Sequence, residues 1–249
     1  MSDALGDRMK QYEDAYRIYL PRRMPVIIRV DGRAFHTLTR GFQKPFDTFF
    51  HSIMLLTTKE LCEAVEGVKM AYTQSDEISL LLTNDDDINT EPWFGNNLQK
   101  LVSLSASIAT LAFNKYYSEE LYHDFEDNIE PYVDGIFKAQ FDARAFVLPK
   151  EEVVNYFIWR QQDAVRNSIQ MVAQSMYSHK ELLNKNCNQL QEMIFQKGVN
   201  WNDYETRYKR GLCYVKKPVQ IGEITRNKFV ADLDIPIFIQ NREYIEVKL

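Results

Sequence analysis

The order of the apolar segments in the first 150 residues most constrains how this chain can fold. Runs rich in bulky apolar residues, as in β-strands, alternate with longer stretches that carry apolar residues at helical spacing. In chain order they are strand 24–30, helix 46–62, strand 68–73, the strand ISLLLT, helix 97–117 and the strand FDARAFVL. The β-α-β-β-α-β order is that of a ferredoxin-like unit. We therefore predict an α+β fold with a ferredoxin-like core.

The sequence changes character beyond Pro149. Residues 151–179 have helical spacing, and a shorter helical run around Leu190 ends before Gly198. From Arg210 onward the short apolar runs LCYV, IPIFI and YIEV alternate with turns, which predicts β-hairpins. We place a boundary between residues 1–135 and 136–249.

Two acidic sites stand beside predicted strands. VIIRV runs into Asp31-Gly32, and Ser75-Asp76-Glu77 forms the turn between the second and third strands. A right-handed crossover makes the first two strands parallel with the third between them, so Asp31 and Asp76 should meet at one sheet edge. Two such carboxylates either protonate or recruit a cation, and a neighbouring glycine lets a ligand approach the backbone. The pattern favours a Mg²⁺-dependent phosphoryl-transfer centre, although Asp-Gly and Ser-Asp-Glu are also ordinary turn sequences.

Composition narrows the class of protein. With 45% hydrophobic and 26% charged residues, the chain can bury a sizeable core. We expect a cytoplasmic protein, because the sequence shows no signal-peptide pattern and no membrane-length apolar run. Three scattered cysteines without a CxxC pair argue against zinc or a disulfide framework. The net charge of −5 disfavours general nucleic-acid binding, yet basic residues cluster between 207 and 217. Such a cluster is either an RNA contact or a solvated charged face.

Six segments carry a resemblance to a known family. They are VIIRVDGRAFHTLT, GFQKPFD, AYTQSDEISLLL, FDARAFVLP, NYFIWRQQDAVRN, and MIFQKGVNWND followed by KRG. In this order they resemble the tRNA-His guanylyltransferase superfamily. The resemblance implies a polymerase-palm enzyme that adds nucleotides in the 3′-to-5′ direction at the 5′ end of tRNA. Residues 1–135 would then be the catalytic palm domain, and residues 136–249 would complete the palm and contact RNA.

The resemblance also implies roles for individual residues. Asp31, Asp76 and the backbone carbonyl of Gly32 would hold two Mg²⁺ ions, with Glu77 as a further catalytic residue. The nucleotide triphosphate, ATP or GTP or another NTP, would be held by Asp31, Gly32, Arg33, Ala34, Phe35, His36, Lys44, Ser75 and Asp76. Candidate contacts to the RNA are Arg144, Arg166, Asn167 and Arg210. The implied partners are the acceptor stem of tRNA and further copies of the chain, as a tetramer or dimer.

One departure from the superfamily pattern indicates a branch. Eukaryotic guanylyltransferases carry the block His-Ile-Asn-Asn-Leu-Tyr-Asn, whereas here Asp163 is followed by AVRNS, and Thr73 replaces a glycine before QSDE. The chain thus resembles the guanylyltransferase-like branch, which repairs 5′-truncated tRNA by templated addition through an adenylylated 5′ end. The alternatives are addition of G at position −1 of tRNA-His, a palm-fold cyclase or other small-nucleotide transferase, and a non-catalytic RNA- or nucleotide-binding palm protein.

Overall fold

A computed structural model describes residues 3–124, 129–222 and 224–249. The strands are β1 Val26–Gly32, β2 Val68–Gln74, β3 Glu77–Leu82, β4 Phe141–Val147, β5 Leu212–Ile221 and β6 Ile224–Asp232. The helices are α1 Ala4–Asp14, α2 Phe35–Leu38, α3 Thr48–Ala64, α4 Leu98–Asp124, α5 Glu130–Val133, α6 Lys150–Gln174, α7 His179–Leu182, α8 Cys187–Gln196, α9 Thr206–Arg210 and α10 Glu243–Glu246. Within the described residues, no helix is both long and apolar enough to cross a membrane.

The described strands form one sheet in the order β4-β1-β3-β2-β5-β6. Both β1 and β2 run antiparallel to β3, which lies between them, so β1 and β2 are parallel to each other as predicted. The α+β fold with its ferredoxin-like core is confirmed. Strands β4 and β5, which follow residue 135, pair with β1 and β2, so one sheet takes strands from both sides of the predicted boundary. That boundary stays a prediction.

Each face of the sheet is covered by helices. Residues alternate along β1: Val26, Ile28 and Val30 join the core formed with α3 and α4, whereas Ile27 joins the core formed with α6. All four side chains are buried. Because successive side chains of a strand point to opposite faces, β1 needs apolar residues at nearly every position. The strand is therefore held rigidly up to its last residues, Asp31 and Gly32.

The C-terminal segment departs from the predicted hairpins. IPIFI is not a strand, because Pro236 has no N–H for a central ladder position. Instead the side chain of Gln161 on α6 donates to the Pro236 carbonyl at 2.9 Å and accepts from the Phe238 N–H at 2.8 Å. YIEV lies mainly in helix α10 rather than in a strand, whereas the polar segment ITRNKFVAD forms β6. Helix α2 also occupies part of a predicted loop.

Candidate active site

The ends of β1 and of the β2–β3 hairpin meet at one edge of the sheet. Ser75 and Asp76 form the two-residue loop of the hairpin, and Ser75 adopts a left-handed backbone with φ 50°. Asp31 stands directly opposite Glu77 in the ladder, and the N–H of Gly32 donates to the carbonyl of Asp76 at 3.1 Å. The structure thus brings Asp31 and Asp76 together as the sequence predicted.

The environment of Asp76 disfavours its ionised form. Burial raises the pKa of Asp76 above its usual value, and the negative charge of Asp31 raises it further. Hydrogen bonds from its own backbone and from Ser75, with the nearby His36, oppose the increase. A buried carboxylate beside a second carboxylate is stabilised by a cation, because the cation offsets both the lost hydration and the repulsion.

The oxygen atoms at this edge suit a Mg²⁺ ion that is coordinated partly by the protein and partly by water and substrate. Among the described residues, no group of three or more His, Cys, Asp or Glu side chains is placed to hold a metal ion. Mg²⁺ usually binds one or two carboxylates and completes its octahedral shell with water and substrate phosphates. Asp31 and Asp76, with the carbonyl of Gly32, supply such an incomplete oxygen set. A triphosphate in the neighbouring cleft would supply the rest.

Glu77 has a buried counter-ion on helix α6. Arg160 donates to its two carboxylate oxygens at 2.7 and 2.6 Å, and both side chains are almost fully buried. Burial raises the pKa of Glu77, and the charge of Arg160 opposes that increase. Arg160 also pairs with Asp163 at 2.9 Å. Both carboxylate oxygens of Glu77 are therefore occupied by Arg160 in this structure. Its catalytic role stays a prediction.

A cleft of about 380 Å³ opens beside the acidic edge. Seven of the predicted nucleotide-binding residues line it: Gly32, Ala34, Phe35, His36, Lys44, Ser75 and Asp76. Arg33 does not line it, because its N–H donates to the carbonyl of Gln140 at 2.8 Å and its guanidinium to the Gln140 side chain at 2.7 Å. Asp31 is also absent from the lining and lies beside the cleft, next to Gly32. The predicted nucleotide-binding roles are untested.

The backbone after β1 is shaped for a bound anion. Ala34 adopts a left-handed conformation with φ 55°, just before helix α2. In the described part of the chain, the N–H groups of Ala34, Phe35 and His36 have no backbone acceptor. A side chain at position 32 would not fit, because its Cβ would lie 2.4 Å from the ring of Phe35. N–H groups left free by a turn after a strand can bind phosphate oxygens.

Asp47 shapes the Lys44 loop, and the sequence reasoning missed it. Its carboxylate accepts from the N–H of Gln43 at 2.9 Å, the N–H of Phe50 at 2.8 Å and the hydroxyl of Tyr132 at 2.9 Å. Asp47 is the N-cap of α3 and lines the cleft. An Asp just before a helical run is a recognisable capping signal, but the bond from Tyr132, 85 residues away, has no local signal.

The four candidate RNA contacts lie in different environments. Arg144 is exposed on β4, where it pairs with Asp142 and stands opposite Arg29 of β1. Arg166 is exposed on α6 and pairs with Asp163. Asn167 lines a narrow pocket that shares Asp47, Phe50, Ser75 and Met171 with the larger cleft. Arg210 is the last residue of α9 and is separated from β5 by one residue. Asn167 is therefore the member of the four that lines the extension of the cleft.

Comparison with known proteins identifies the family. A sequence model of the family described as tRNAHis guanylyltransferase (Thg1) matches residues 6–149, more than half of the chain. The chain belongs to the tRNAHis guanylyltransferase family. Its members are nucleotidyltransferases that act on tRNA, so this chain is an enzyme of the nucleotidyltransferase class. The matched segment contains Asp31 and Asp76, the acid pair, and every residue that lines the larger cleft except Met171.

Solved structures and curated relatives extend the similarity. A bacterial tRNA(His) guanylyltransferase (Thg1)-like protein in complex with ATP is 47% identical, has a TM-score of 0.87 and is matched over 98% of both chains. The bacterial protein in complex with GTP is 45% identical, with a TM-score of 0.83 over 99% of both chains. The probable tRNA(His) guanylyltransferase of Dictyostelium discoideum is 27% identical over 78% of this chain and 76% of its own length. Nucleotide triphosphates are therefore supported as substrates of this family member.

Proposed function

We propose that this protein adds nucleotides in the 3′-to-5′ direction to the 5′ end of truncated tRNA, using the opposite strand as template. The observation that carries the proposal is the meeting of Asp31 and Asp76 at one sheet edge beside a cleft that contains Lys44 and free backbone N–H groups. Positioning and electrostatic stabilisation supply most of the catalysis in phosphoryl transfer. An acid pair that binds Mg²⁺, beside a cleft with an ammonium and free N–H groups, would provide both.

The reaction would proceed in two transfers. First, an oxygen of the RNA 5′-monophosphate attacks the α-phosphate of ATP, which releases pyrophosphate and leaves an adenylylated 5′ end. Next, the 3′-hydroxyl of an incoming nucleotide attacks the activated 5′ phosphate, AMP leaves, and the incoming triphosphate becomes the new 5′ end.

The chain's own residues would bind and orient the triphosphate. The ammonium of Lys44 would offset phosphate charge, while the N–H groups of residues 34–36 would donate to phosphate oxygens. The hydroxyl of Ser75 would do the same after turning from Asp76 to the phosphate. Asp47 would hold the Lys44 loop in place for that contact. Two Mg²⁺ ions bound by Asp31, Asp76 and the carbonyl of Gly32 would supply charge neutralisation at the reacting phosphate and a lowered pKa for the attacking hydroxyl.

A second function is the addition of G at position −1 of tRNA-His. The names of the relatives favour it, since the Dictyostelium discoideum relative is a probable tRNA(His) guanylyltransferase. The sequence AVRNS after Asp163 favours repair instead, because it lacks the block found in eukaryotic guanylyltransferases. In repair the opposing nucleotide determines which nucleotide is added, whereas the second function adds G whatever stands opposite.

The test uses the purified protein with Mg²⁺, ATP, the four NTPs and a 5′-monophosphorylated tRNA that lacks its first nucleotide. Repair predicts a product one nucleotide longer whose new base changes with the opposing nucleotide. Addition of G regardless of the template would favour the second function, and no extension of any tRNA would refute both. Asp76→Asn should abolish extension. Asp86→Asn, an exposed carboxylate in the loop after β3, is the matched control and should retain it.

A further inference from the structure

A tryptophan on helix α6 lies at the surface in a fixed orientation. Trp159 is 52% exposed, whereas the other two tryptophans of the chain, Trp93 and Trp201, are buried. The guanidinium of Arg160 lies over the Trp159 ring, 4.4 Å from its centre. The ring of Tyr156 meets the indole at an angle of 66°, with the ring centres 5.9 Å apart. The indole is therefore held on one side and open to solvent on the other.

The neighbours that hold the indole are themselves fixed. Arg160 is bound by two hydrogen bonds to Glu77 and by its ion pair with Asp163. Tyr156 is buried, and its hydroxyl is hydrogen-bonded to that of Ser79 at 2.7 Å. A ring that is already ordered can bind a flat ligand without a further cost in side-chain entropy. An exposed but ordered indole is expected where an external flat group stacks on it.

Two arginines lie on the same side of the sheet as this ring. Arg29 of β1 stands opposite Ser79 of β3 and opposite Arg144 of β4. In the described part of the chain Arg29 makes no ion pair with a carboxylate, and its buried Nε has no hydrogen-bond partner. Phe146, on the same face of β4 as Arg144, contacts Tyr156 with the ring centres 5.8 Å apart. Aromatic rings and guanidinium groups therefore share one surface between β4 and α6.

This surface leads to the active edge. Arg160, which lies over the indole, bonds to Glu77, and Glu77 stands opposite Asp31 in the ladder. Asn167, which lines the extension of the cleft, follows Trp159 on α6 by eight residues, about 12 Å along the helix. An RNA strand that continues past the reacting end would therefore pass the indole.

We propose that Trp159 stacks on an unpaired base of the single-stranded 3′ end of the tRNA substrate, beside the 5′ end that is extended. The inference rests on the proposed function for the identity of the RNA. In a tRNA the 3′ strand continues unpaired beyond the 5′ end, so single-stranded bases lie next to the reacting phosphate. Aromatic side chains beside cations form platforms for single-stranded nucleic acid, since every base has a flat face. Trp159 is then a positioning residue, which holds the 3′ strand while the cleft holds the nucleotide.

The test first measures tryptophan fluorescence with two RNAs. One is the 5′-monophosphorylated tRNA that lacks its first nucleotide, and the other is the same RNA shortened at its 3′ end until no overhang remains. Stacking should quench the emission of the wild-type protein with the first RNA alone, and ATP should not quench it. Trp159→Phe should abolish the quenching. Trp93→Phe, the same replacement at a buried position, is the control and should retain it.

The affinity of the protein for the two RNAs then measures the contribution of the ring. Trp159→Leu should weaken binding of the RNA with the overhang by about 5- to 150-fold, which corresponds to the loss of one stacked base. Binding of the shortened RNA and of ATP should not change. The slope of log K against log salt should stay as in wild type, because no phosphate contact is lost. Tyr122→Leu, at an exposed aromatic position on α4, is the matched control and should bind both RNAs as wild type does.

The proposal is overturned if the RNA with the overhang leaves the wild-type emission unchanged or if both RNAs quench it equally; this comparison needs no substitution. It is also overturned if Trp159→Leu loses the same affinity for both RNAs, or if Tyr122→Leu loses as much. A change in the oligomeric state of Trp159→Leu, measured by light scattering, would overturn it too, because the indole would then contact a second copy. Wild-type protein that binds the RNA with quenching but does not extend it would refute the proposed function and leave the stacking contact standing.

Discussion

Replacing Arg160 with methionine should destabilise the protein strongly, because the substitution leaves the carboxylate of Glu77 buried without its counter-ion. Glu77 and Arg160 are 6% and 5% exposed, and two hydrogen bonds of 2.7 and 2.6 Å join them. Removal of one member of such a buried pair typically costs about 3–5 kcal/mol. Since whole domains are stable by about 5–15 kcal/mol, Arg160→Met should remove a large part of the free energy of unfolding.

The loss should depend on pH with a definite sign. Burial already raises the pKa of Glu77 while Arg160 opposes the rise, so Arg160→Met should raise that pKa further. A group whose pKa is higher in the folded than in the unfolded state contributes stability below its unfolded pKa, about 4.3 for Glu, and loses it as pH increases. The deficit of the variant relative to wild type should therefore be larger at pH 8 than at pH 5.

Urea unfolding of four proteins measures the effect: wild type, Arg160→Met, Glu77→Gln, and the double variant. The double variant should be more stable than the sum of the single losses predicts, because it has no unpaired buried carboxylate at position 77. Asp163 also loses a partner but is partly exposed and keeps its contact with Arg166. A deficit independent of pH, together with simple additivity in the double variant, would refute the charge-pairing argument.

Further predictions concern the walls of the cleft. Gly32→Ala should cost about 1–3 kcal/mol in urea unfolding, because the new Cβ would lie 2.4 Å from the buried ring of Phe35; an unchanged midpoint would contradict the packing argument. Burial lowers the pKa of His51 to about 4, so wild type should lose up to about 3 kcal/mol more stability than His51→Gln between pH 6.5 and 4, whereas parallel pH curves would contradict it. Tyr132→Phe removes one hydrogen bond to Asp47, so the Lys44 loop is held less firmly. KM for ATP should rise, and stability should fall by only about 1 kcal/mol; an unchanged KM would exclude a role in shaping the loop.

The edge that holds the acid pair could be predicted because its causes are local. VIIRV and ISLLL are apolar at nearly every position, as strands buried on both faces must be. Once the strands are in order, the handedness of the crossover leaves one edge where Asp31 and Asp76 can lie. The hairpin loop at Ser75 and Asp76 follows from its position between two apolar runs.

Other features depend on contacts that sequence spacing does not encode. Arg160 reaches Glu77 across 83 residues, and only the docking of α6 on the sheet brings the two together. The run IPIFI is apolar because Ile235 and Phe238 pack into the core with α6, and a packed loop requires the same composition as a strand. Strand β6, by contrast, lacks the apolar pattern of a strand. Most of it pairs only with β5 beyond the sheet, so its residues can be polar on both faces.

The Arg160–Glu77 pair determines how many negative charges the active edge presents. Glu77, Asp31 and Asp142 occupy one cross-strand row on β3, β1 and β4, and Asp31 raises the pKa of Glu77 as well as that of Asp76. Without a fixed counter-ion, Glu77 would compete with the acid pair for the same protons and cations. Arg160, from the core formed with α6, neutralises Glu77, so Glu77 does not require a bound cation. Because Asp142 pairs with Arg144, Asp31 and Asp76 are then the carboxylates left to attract a cation and the triphosphate that it accompanies.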